Sequence, residues 1–184
     1  MIGRISSEKH FELGIKAMQI ISKKFPDVIL KKIGGFNKYT ESLKKIAQDL
    51  NVSNNVMFYD SQQDLRSFYS NASLYFMTSS CESFSFVLAE SKAYGLANIV
   101  TGKEYLVLTK KGSIVVKDND YKEMAYKAIK LFSNMTYLKE QGRAARESLI
   151  YFLPEKIDLR YINLFESLMN GTSKDFLIQN IKNI

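Results

Sequence analysis

Two glutamates with seven residues between them, Glu82 and Glu90, flank the point where an apolar run gives way to a helical pattern. The apolar run covers residues 74–77 and the helical pattern covers residues 86–94, with a glycine directly after it. This order predicts a strand, a loop and the start of a helix. The first N–H groups of a helix lack partners within it, and the helix dipole adds positive charge there. The sequence therefore predicts an anion site, such as a phosphate site, at this loop.

Paired carboxylates also suit the hydrolysis of glycosidic bonds, for which the two groups lie about 5–9.5 Å apart. On a single helix, Glu82 and Glu90 would be separated by about 12 Å along the axis, at about 1.5 Å per residue. Glu82 falls in the predicted loop, however, and a loop can fold back toward the helix. The spacing alone leaves a hydrolase, an anion-binding protein and two solvated glutamates open.

The residues around this pair resemble the signature of the retaining GT-B glycosyltransferases of family 4; here they read ESFSFVLAESKAYGLANIV over 82–100. That family has a glutamate in a glycine-rich turn, a second glutamate eight positions later, and then A-x-x-G-x-P-V-V. The matching positions are Glu82, Phe84, Glu90, Ala93, Gly95, Ile99 and Val100. Ser83 and Ser85 stand where glycines are usual, and neither position 97 nor position 98 carries the usual proline.

The motif GRISSEK at residues 3–9 resembles the first loop of the same family, where an arginine and a lysine hold the donor diphosphate. Arg4 and Lys9 follow a short predicted strand and so lie at the carboxyl edge of the sheet, like the central loop. His10 stands where that family has a glycine. By itself, a basic pair five residues apart is more typical of a solvated surface.

The resemblance implies a role for each matching residue. Arg4 and Lys9 would neutralise the leaving nucleoside diphosphate, and the backbone N–H groups of Ser85 and Phe86 would donate hydrogen bonds to it. Charges and dipoles aimed at a departing diphosphate lower the barrier to breaking the glycosidic bond.

The two glutamates take the remaining roles that the resemblance implies. Glu90 would accept hydrogen bonds from the ribose hydroxyls, and Glu82 would be the catalytic residue that contacts the transferred sugar. The donor would be a nucleotide sugar linked to UDP or GDP. No metal or other cofactor is expected, since the chain has a single histidine.

Strands and helices of about ten residues alternate over the first two thirds of the chain. The predicted strands are 1–5, 28–33, 56–59, 74–77, 98–100 and 114–116. The predicted helices are one beginning at Ser6 or Ser7, then 40–50, 61–69, 86–94, 121–132, 135–152 and one opened by Pro154. This alternation predicts an α/β fold, a Rossmann-like three-layer sandwich with a mostly parallel sheet and right-handed crossovers.

Composition agrees with a soluble globular protein. The chain has 184 residues, 46% hydrophobic and 24% charged, which is enough for a sizeable core. It has no apolar run long enough to span a membrane, no signal-peptide pattern and one cysteine, Cys81, which fits a reducing compartment. We therefore expect a cytoplasmic protein, and the resemblance implies a bacterial one, with peripheral contact at the inner face of the membrane.

A net charge of +7 favours an anionic partner: a diphosphate, a nucleic acid or an anionic membrane surface. No nucleic-acid recognition motif is present, so we expect no nucleic-acid partner. Two alternatives to a transferase stay open. One is a nucleotide-sugar-binding module without transferase activity, and the other is a basic domain that binds nucleic acid or a membrane surface.

The resemblance runs from about Gly3 to about Gly171 and covers only the C-terminal, nucleotide-sugar-binding half of a GT-B enzyme. It implies a donor-binding domain over 1–170 and a tail over 171–184. The N-terminal half, which would bind a saccharide or lipid-linked acceptor, has no counterpart in these residues. The expected activity is retaining transfer to a polysaccharide or glycolipid, with little or none by this chain alone.

Overall fold

The computed structural model describes residues 1–80, 82, 84–102, 108 and 112–171. Three features of the sequence interpretation lie outside that description: Cys81, Ser83 and the predicted tail beyond Gly171. The chain divides into two compact units, Met1–Ser148 and Leu149–Ile184. The predicted domain boundary at residue 170 stays a prediction.

The described residues form five strands and seven α-helices. The strands are β1 (Leu30–Ile33), β2 (Val56–Tyr59), β3 (Leu74–Met77), β4 (Ala97–Thr101) and β5 (Ile114–Val116). The helices are α1 (Phe11–Ile21), α2 (Lys38–Asp49), α3 (Arg66–Ser70), α4 (Phe86–Ala93), α5 (Tyr121–Phe132), α6 (Met135–Glu147) and α7 (Pro154–Met169). Short 3-10 turns occur at Ser7–Lys9, Ser53–Asn55 and Ser148–Phe152.

Every strand pairing among the described residues is parallel: β1 pairs with β2 in a two-stranded sheet, and β3, β4 and β5 form a three-stranded sheet in that order. The amino-terminal segment runs beside β1, because Ile2 bridges to Ile33 and the Gly3 N–H donates to the Ile33 carbonyl at 3.0 Å. On its other side, the Tyr75 hydroxyl of β3 donates to the Ile2 carbonyl at 3.4 Å. The predicted parallel α/β sandwich is confirmed, and the predicted first strand is reduced to this bridge.

The core surrounds β4, whose five residues are all buried. Helices α5 and α6 both pack against this strand, and α1 packs against α5 and α2. A strand buried along its whole length is typical of a parallel sheet covered on both faces. This packing fixes the strand ends, from which the loops of the site extend.

Two predicted helix starts are wrong. The first helix begins at Phe11 rather than at Ser6 or Ser7, because Ser7–Lys9 forms a 3-10 turn and His10 adopts a left-handed conformation. Helix α3 begins at Arg66 rather than at residue 61. Local bonds compete with the helix there, since the Asp60 carboxylate accepts from the Ser61 N–H at 2.7 Å.

The later helices follow the prediction closely. Helix α5 has the predicted bounds, and the predicted helix over 135–152 ends at Glu147 and continues as a 3-10 turn. Helix α7 begins at Pro154 as predicted, but none of its residues is buried.

Candidate functional site

Two loops meet beyond the carboxyl end of β3: the loop after β3 and the turn at Ser7–Lys9 that precedes α1. The Ser80 N–H donates to the Glu8 carbonyl at 2.9 Å, and the Ser80 hydroxyl donates to the same oxygen at 3.2 Å. The Thr78 hydroxyl donates to the Lys9 carbonyl at 2.7 Å. These three bonds join segments about 70 positions apart in the chain. They bring the two predicted anion-binding loops together.

An ion pair joins the same two loops through their side chains. The Lys9 ammonium donates to Oε1 of Glu82. Both side chains are mostly buried, with 19% of Lys9 and 16% of Glu82 exposed. The sequence predicted both residues as ligands but missed their pairing, because it says nothing of which loops touch.

The start of α4 lies where the sequence predicts it. Ser85 is the N-cap residue, is 2% exposed, and its hydroxyl accepts from the Leu88 N–H at 3.3 Å. The cap satisfies one of the orphan donors at the helix start. Phe86 is the first helical residue and its side chain is 72% exposed. The start of α4 is thus a capped helix end whose first side chain, Phe86, is exposed to solvent.

Glu90 lies on α4 and is held from one side. Its Oε2 accepts from the Tyr69 hydroxyl at 2.8 Å. Tyr69 is 3% exposed, and its ring stacks on that of Tyr94 with centroids 5.1 Å apart. Burial and the bond to Glu90 raise the pKa of the Tyr69 hydroxyl, which therefore stays a donor. Glu90 itself is exposed, which leaves its carboxylate accessible to a ligand hydroxyl.

Both glutamates of the motif influence the buried tyrosine of β3, Tyr75. The pKa of its buried hydroxyl is raised by burial, and the nearby carboxylates of Glu82 and Glu90 raise it further. Lys9 pairs with one of these two carboxylates, that of Glu82.

Arg4 is not brought to these groups. Its guanidinium donates to Oε1 of Glu8 at 2.9 Å, and its side chain is 78% exposed. A pair this exposed exchanges readily with water and salt. Contact between Arg4 and a diphosphate stays a prediction.

Sequence reasoning missed Lys32, which is 2% exposed in β1. Its ammonium donates to the carbonyls of Gly3 at 3.0 Å and Ile33 at 2.6 Å, and lies 4.0 Å from the centre of the Phe11 ring. Burial lowers its pKa to about 7. Two lysines inside a predicted buried strand are the signal that could have found it. Its place beside Gly3 puts a buried cation under the first loop.

Groups of side chains that could hold a metal ion were sought among the described residues. Within the described part of the chain, no three side chains of His, Cys, Asp or Glu converge as metal ligands do. The chain has an Asp-x-Asp stretch at 118–120, but the Asp120 carboxylate caps α5 by accepting from the Glu123 N–H at 2.8 Å. None of the described helices is both long enough and apolar enough to cross a membrane.

Comparison with known proteins gives a consistent group of matches. Residues 1–148 match the family described as glycosyl transferases group 1. An uncharacterized glycosyltransferase of Haemophilus influenzae is 31% identical over 127 residues, which cover 67% of this chain and 36% of that protein.

Solved structures match over most of the chain. The C-terminal domain of a group 1 family glycosyltransferase (LpcC) from Francisella tularensis aligns with a TM-score of 0.73 and 19% identity, over 80% of this chain and 82% of that one. HepE from Anabaena, solved in complex with UDP and glucose, aligns with a TM-score of 0.80 and 18% identity, over 90% of this chain and 47% of that one. The chain thus spans less than half of the Haemophilus protein and of HepE, but most of the isolated LpcC domain.

Proposed function

This chain belongs to the group 1 glycosyltransferases, and we propose that it is the donor-binding half of a retaining member. Its fold is that of the Rossmann-like C-terminal domain of a GT-B enzyme. The proposed donor is a nucleotide sugar, bound at the carboxyl edge of the sheet.

One observation carries this proposal: Lys9 pairs with Glu82 where the turn before α1 meets the loop after β3, and α4, which carries Glu90, directly follows that loop. A nucleotide sugar has a diphosphate, a pentose and a hexose in fixed order. An ammonium suits the diphosphate, because charge-assisted hydrogen bonds to phosphate are strong. Carboxylates suit the two sugars, because an ionised carboxylate only accepts hydrogen bonds and hydroxyls donate them.

We assign the residues accordingly. Lys9 and the N–H groups at Ser85 and Phe86 hold the diphosphate, with Arg4 swinging from Glu8 to join them. Glu90 accepts from the ribose hydroxyls, with Tyr69 fixing its orientation.

Glu82 contacts the transferred sugar. Stabilising charge on the departing diphosphate weakens the bond to the sugar, and front-face attack assisted by the donor phosphate would retain its configuration. No step in this scheme draws on a metal.

A UDP-linked donor is supported by HepE, whose structure holds UDP and glucose. The acceptor, a polysaccharide or a lipid-linked saccharide, is assigned to an N-terminal half of the GT-B type. We infer that this chain binds the donor in the cytoplasm and transfers little sugar by itself.

The test is thermal unfolding of the chain with UDP, GDP, ADP and their sugar conjugates. A ligand at about 100 times its dissociation constant adds about 2.7 kcal/mol to the free energy of unfolding. We expect nucleotides of one base to stabilise the wild type. Glu90→Gln should remove most of that stabilisation without lowering the melting temperature of the ligand-free protein. Glu140→Gln, an exposed glutamate on α6, is the matched control and should keep the full effect.

Two results would count against the proposal. If no nucleotide stabilises the wild type, the donor site is absent. If Glu90→Gln and Glu140→Gln behave alike, the nucleotide binds elsewhere. Efficient transfer to an acceptor by the 184 residues alone would refute the division of labour between two halves.

A further inference from the structure

We propose that Glu82 makes the site select the nucleotide-sugar donor over the nucleoside diphosphate product, by competing with phosphate for Lys9. This inference rests on the proposed function and gives Glu82 a second task beside its contact with the sugar. It follows from how tightly the ion pair is built into the two loops.

The backbone positions the pair. The Lys9 carbonyl accepts from the Thr78 hydroxyl at 2.7 Å, and the Glu8 carbonyl accepts from the Ser80 N–H at 2.9 Å. The loop that carries Glu82 is therefore fastened directly to the turn that carries Lys9. With 19% and 16% of the two side chains exposed, salt screens this pair less than it screens a surface pair.

A phosphate and the Glu82 carboxylate are anions that need the same ammonium. When a phosphate binds Lys9, Glu82 loses its partner and faces a second negative charge. A mostly buried carboxylate without a partner is strongly unfavourable. Replacing Glu82 by a phosphate at Lys9 is therefore unfavourable unless a new hydrogen-bond donor reaches Glu82.

The nucleotide sugar and the nucleoside diphosphate differ in whether they supply that hydrogen-bond donor. The hexose of a nucleotide sugar carries hydroxyls that donate to a carboxylate. A nucleoside diphosphate has no hexose, and its terminal phosphate adds negative charge where the sugar would be. Glu82 thus weakens the binding of the nucleoside diphosphate product but not that of the nucleotide-sugar donor. This difference favours product release after transfer.

The neighbouring pair offers a useful contrast. Arg4 and Glu8 are 78% and 45% exposed, so water can solvate either charge when the pair opens. Breaking the Arg4–Glu8 pair therefore costs little free energy, whichever ligand binds. Selectivity is therefore assigned to Glu82 and not to Glu8.

The experiment is calorimetric titration of UDP with UDP-glucose, GDP with GDP-mannose, and ADP with ADP-glucose into wild type and Glu82→Gln. Glutamine keeps the size of the side chain and removes its charge. For the base that binds, we expect Glu82→Gln to tighten the diphosphate about tenfold, because a like-charge contact is relieved. The affinity for the nucleotide sugar should stay the same or weaken.

A matched control and a second variant accompany it. Glu41→Gln removes the carboxylate of another lysine pair, Lys44–Glu41 at 2.9 Å, with 72% of Glu41 exposed, and should change neither affinity. Glu82→Ala also removes the charge but offers the sugar no acceptor. It should tighten the diphosphate and weaken the nucleotide sugar, so both Glu82 variants shift the ratio the same way.

The outcomes separate the inference from the proposed function. If the nucleotide sugar binds wild type and the Glu82 variants weaken both ligands equally, Glu82 only positions Lys9 and the inference is overturned. If no nucleotide binds wild type, the proposed function fails and takes the inference with it. A change in the ratio in Glu41→Gln as large as in Glu82→Gln would show a general charge effect and also overturn it.

Discussion

Tyr69 is the residue that gives Glu90 a fixed direction. The tyrosine is buried, stacked on Tyr94 and hydrogen-bonded to one carboxylate oxygen of Glu90. In the sequence it reads as one more apolar position on the inner face of a helix. The glutamate was predictable from its motif, but the residue that orients it comes from α3, about 20 positions away. A role of this kind emerges only when the strands bring separate helices together.

Tyr69→Phe tests this orientation. The change keeps the ring and removes the hydroxyl that donates to Glu90, so the carboxylate becomes free to rotate. We expect donor affinity to fall about tenfold, with a loss of about 1 kcal/mol in the free energy of unfolding. Titration with the nucleotide sugar measures the first quantity and denaturant unfolding the second.

A dideoxy analogue and a second tyrosine serve as controls. If Glu90 binds the ribose hydroxyls, Tyr69→Phe should not change the affinity for a 2′,3′-dideoxy nucleotide. Tyr126→Phe, at a tyrosine that is 63% exposed, should leave both affinities unchanged. An equal loss with the dideoxy analogue would mean that Tyr69 only stabilises the fold.

Lys32 makes the free energy of unfolding depend on pH. Burial lowers its pKa to about 7 in the folded chain, from the ordinary lysine value of 10.5. Between these values the unfolded chain binds more protons than the folded chain, so stability rises with pH. Below pH 7 the ammonium is charged in both states and the gain is absent. Lys92, with its pKa lowered to about 8, acts in the same direction above pH 8.

We expect stability to rise by about 1 kcal/mol per pH unit from Lys32 between about pH 7 and 9. Lys32→Met removes the titrating group, so the slope of stability against pH should become shallower by that amount. Denaturant unfolding of both proteins from about pH 6 to 9 measures the difference. Parallel curves would show that Lys32 keeps an ordinary pKa.

At the scale of the element, His10 determines where α1 begins. Its backbone lies in the left-handed region, at φ 45° and ψ 42°, between the 3-10 turn and α1. This conformation costs a residue with a side chain roughly 1–2 kcal/mol and costs glycine almost nothing. Glycine is the residue that this conformation favours, and here histidine bears the strain.

The strain can be measured by comparing His10→Gly with His10→Ala. Both variants lose the contact of 3.0 Å between His10 Nδ1 and Glu12 Oε1, so their difference isolates the backbone. We expect the glycine variant to be more stable by about 1 kcal/mol. At Gln19, inside α1, the order should reverse, because alanine favours a helix over glycine by about 1 kcal/mol. The same order at both positions would contradict the left-handed turn.

The start of α4 shows what the sequence can predict about an element. The helix was predicted to begin at Phe86 from the apolar, helix-forming run, and it begins there, capped by Ser85. The first helix start was predicted one turn too early, because two serines and a glutamate gave a capping signal at Ser7–Lys9. At Ser7–Lys9 that signal produces only a 3-10 turn, and the Glu8 carbonyl in this turn accepts a hydrogen bond from Ser80 in the loop after β3.

At the scale of the whole molecule, the parallel sheet was predictable because strand and helix patterns alternate along the chain. The membership of the site was predictable only in part. The motifs gave Lys9, Glu82 and Glu90, but the pairing of Lys9 with Glu82 joins positions 73 apart. Arg4 shows the converse case, since its motif placed it at the site and its side chain pairs with Glu8 instead.

Net charge belongs to this scale as well. The excess of +7 would attract many anions, but a general basic surface would lose affinity steeply with added salt and would respond similarly to any lysine removed. A specific donor-binding site depends on one lysine far more than on the others. The most direct measurement therefore compares single lysines.

That measurement is calorimetric titration of the stabilising nucleotide sugar into wild type, Lys9→Met and Lys45→Met, at one salt concentration. Both variants remove one positive charge, but Lys45 is exposed on α2 and Lys9 lies in the site. We predict a loss of affinity of at least about tenfold for Lys9→Met, because a charge-assisted bond to phosphate is removed, and no change for Lys45→Met. Equal affinities for all three proteins, or equal losses in the two variants, would contradict a donor site at the carboxyl edge of the sheet.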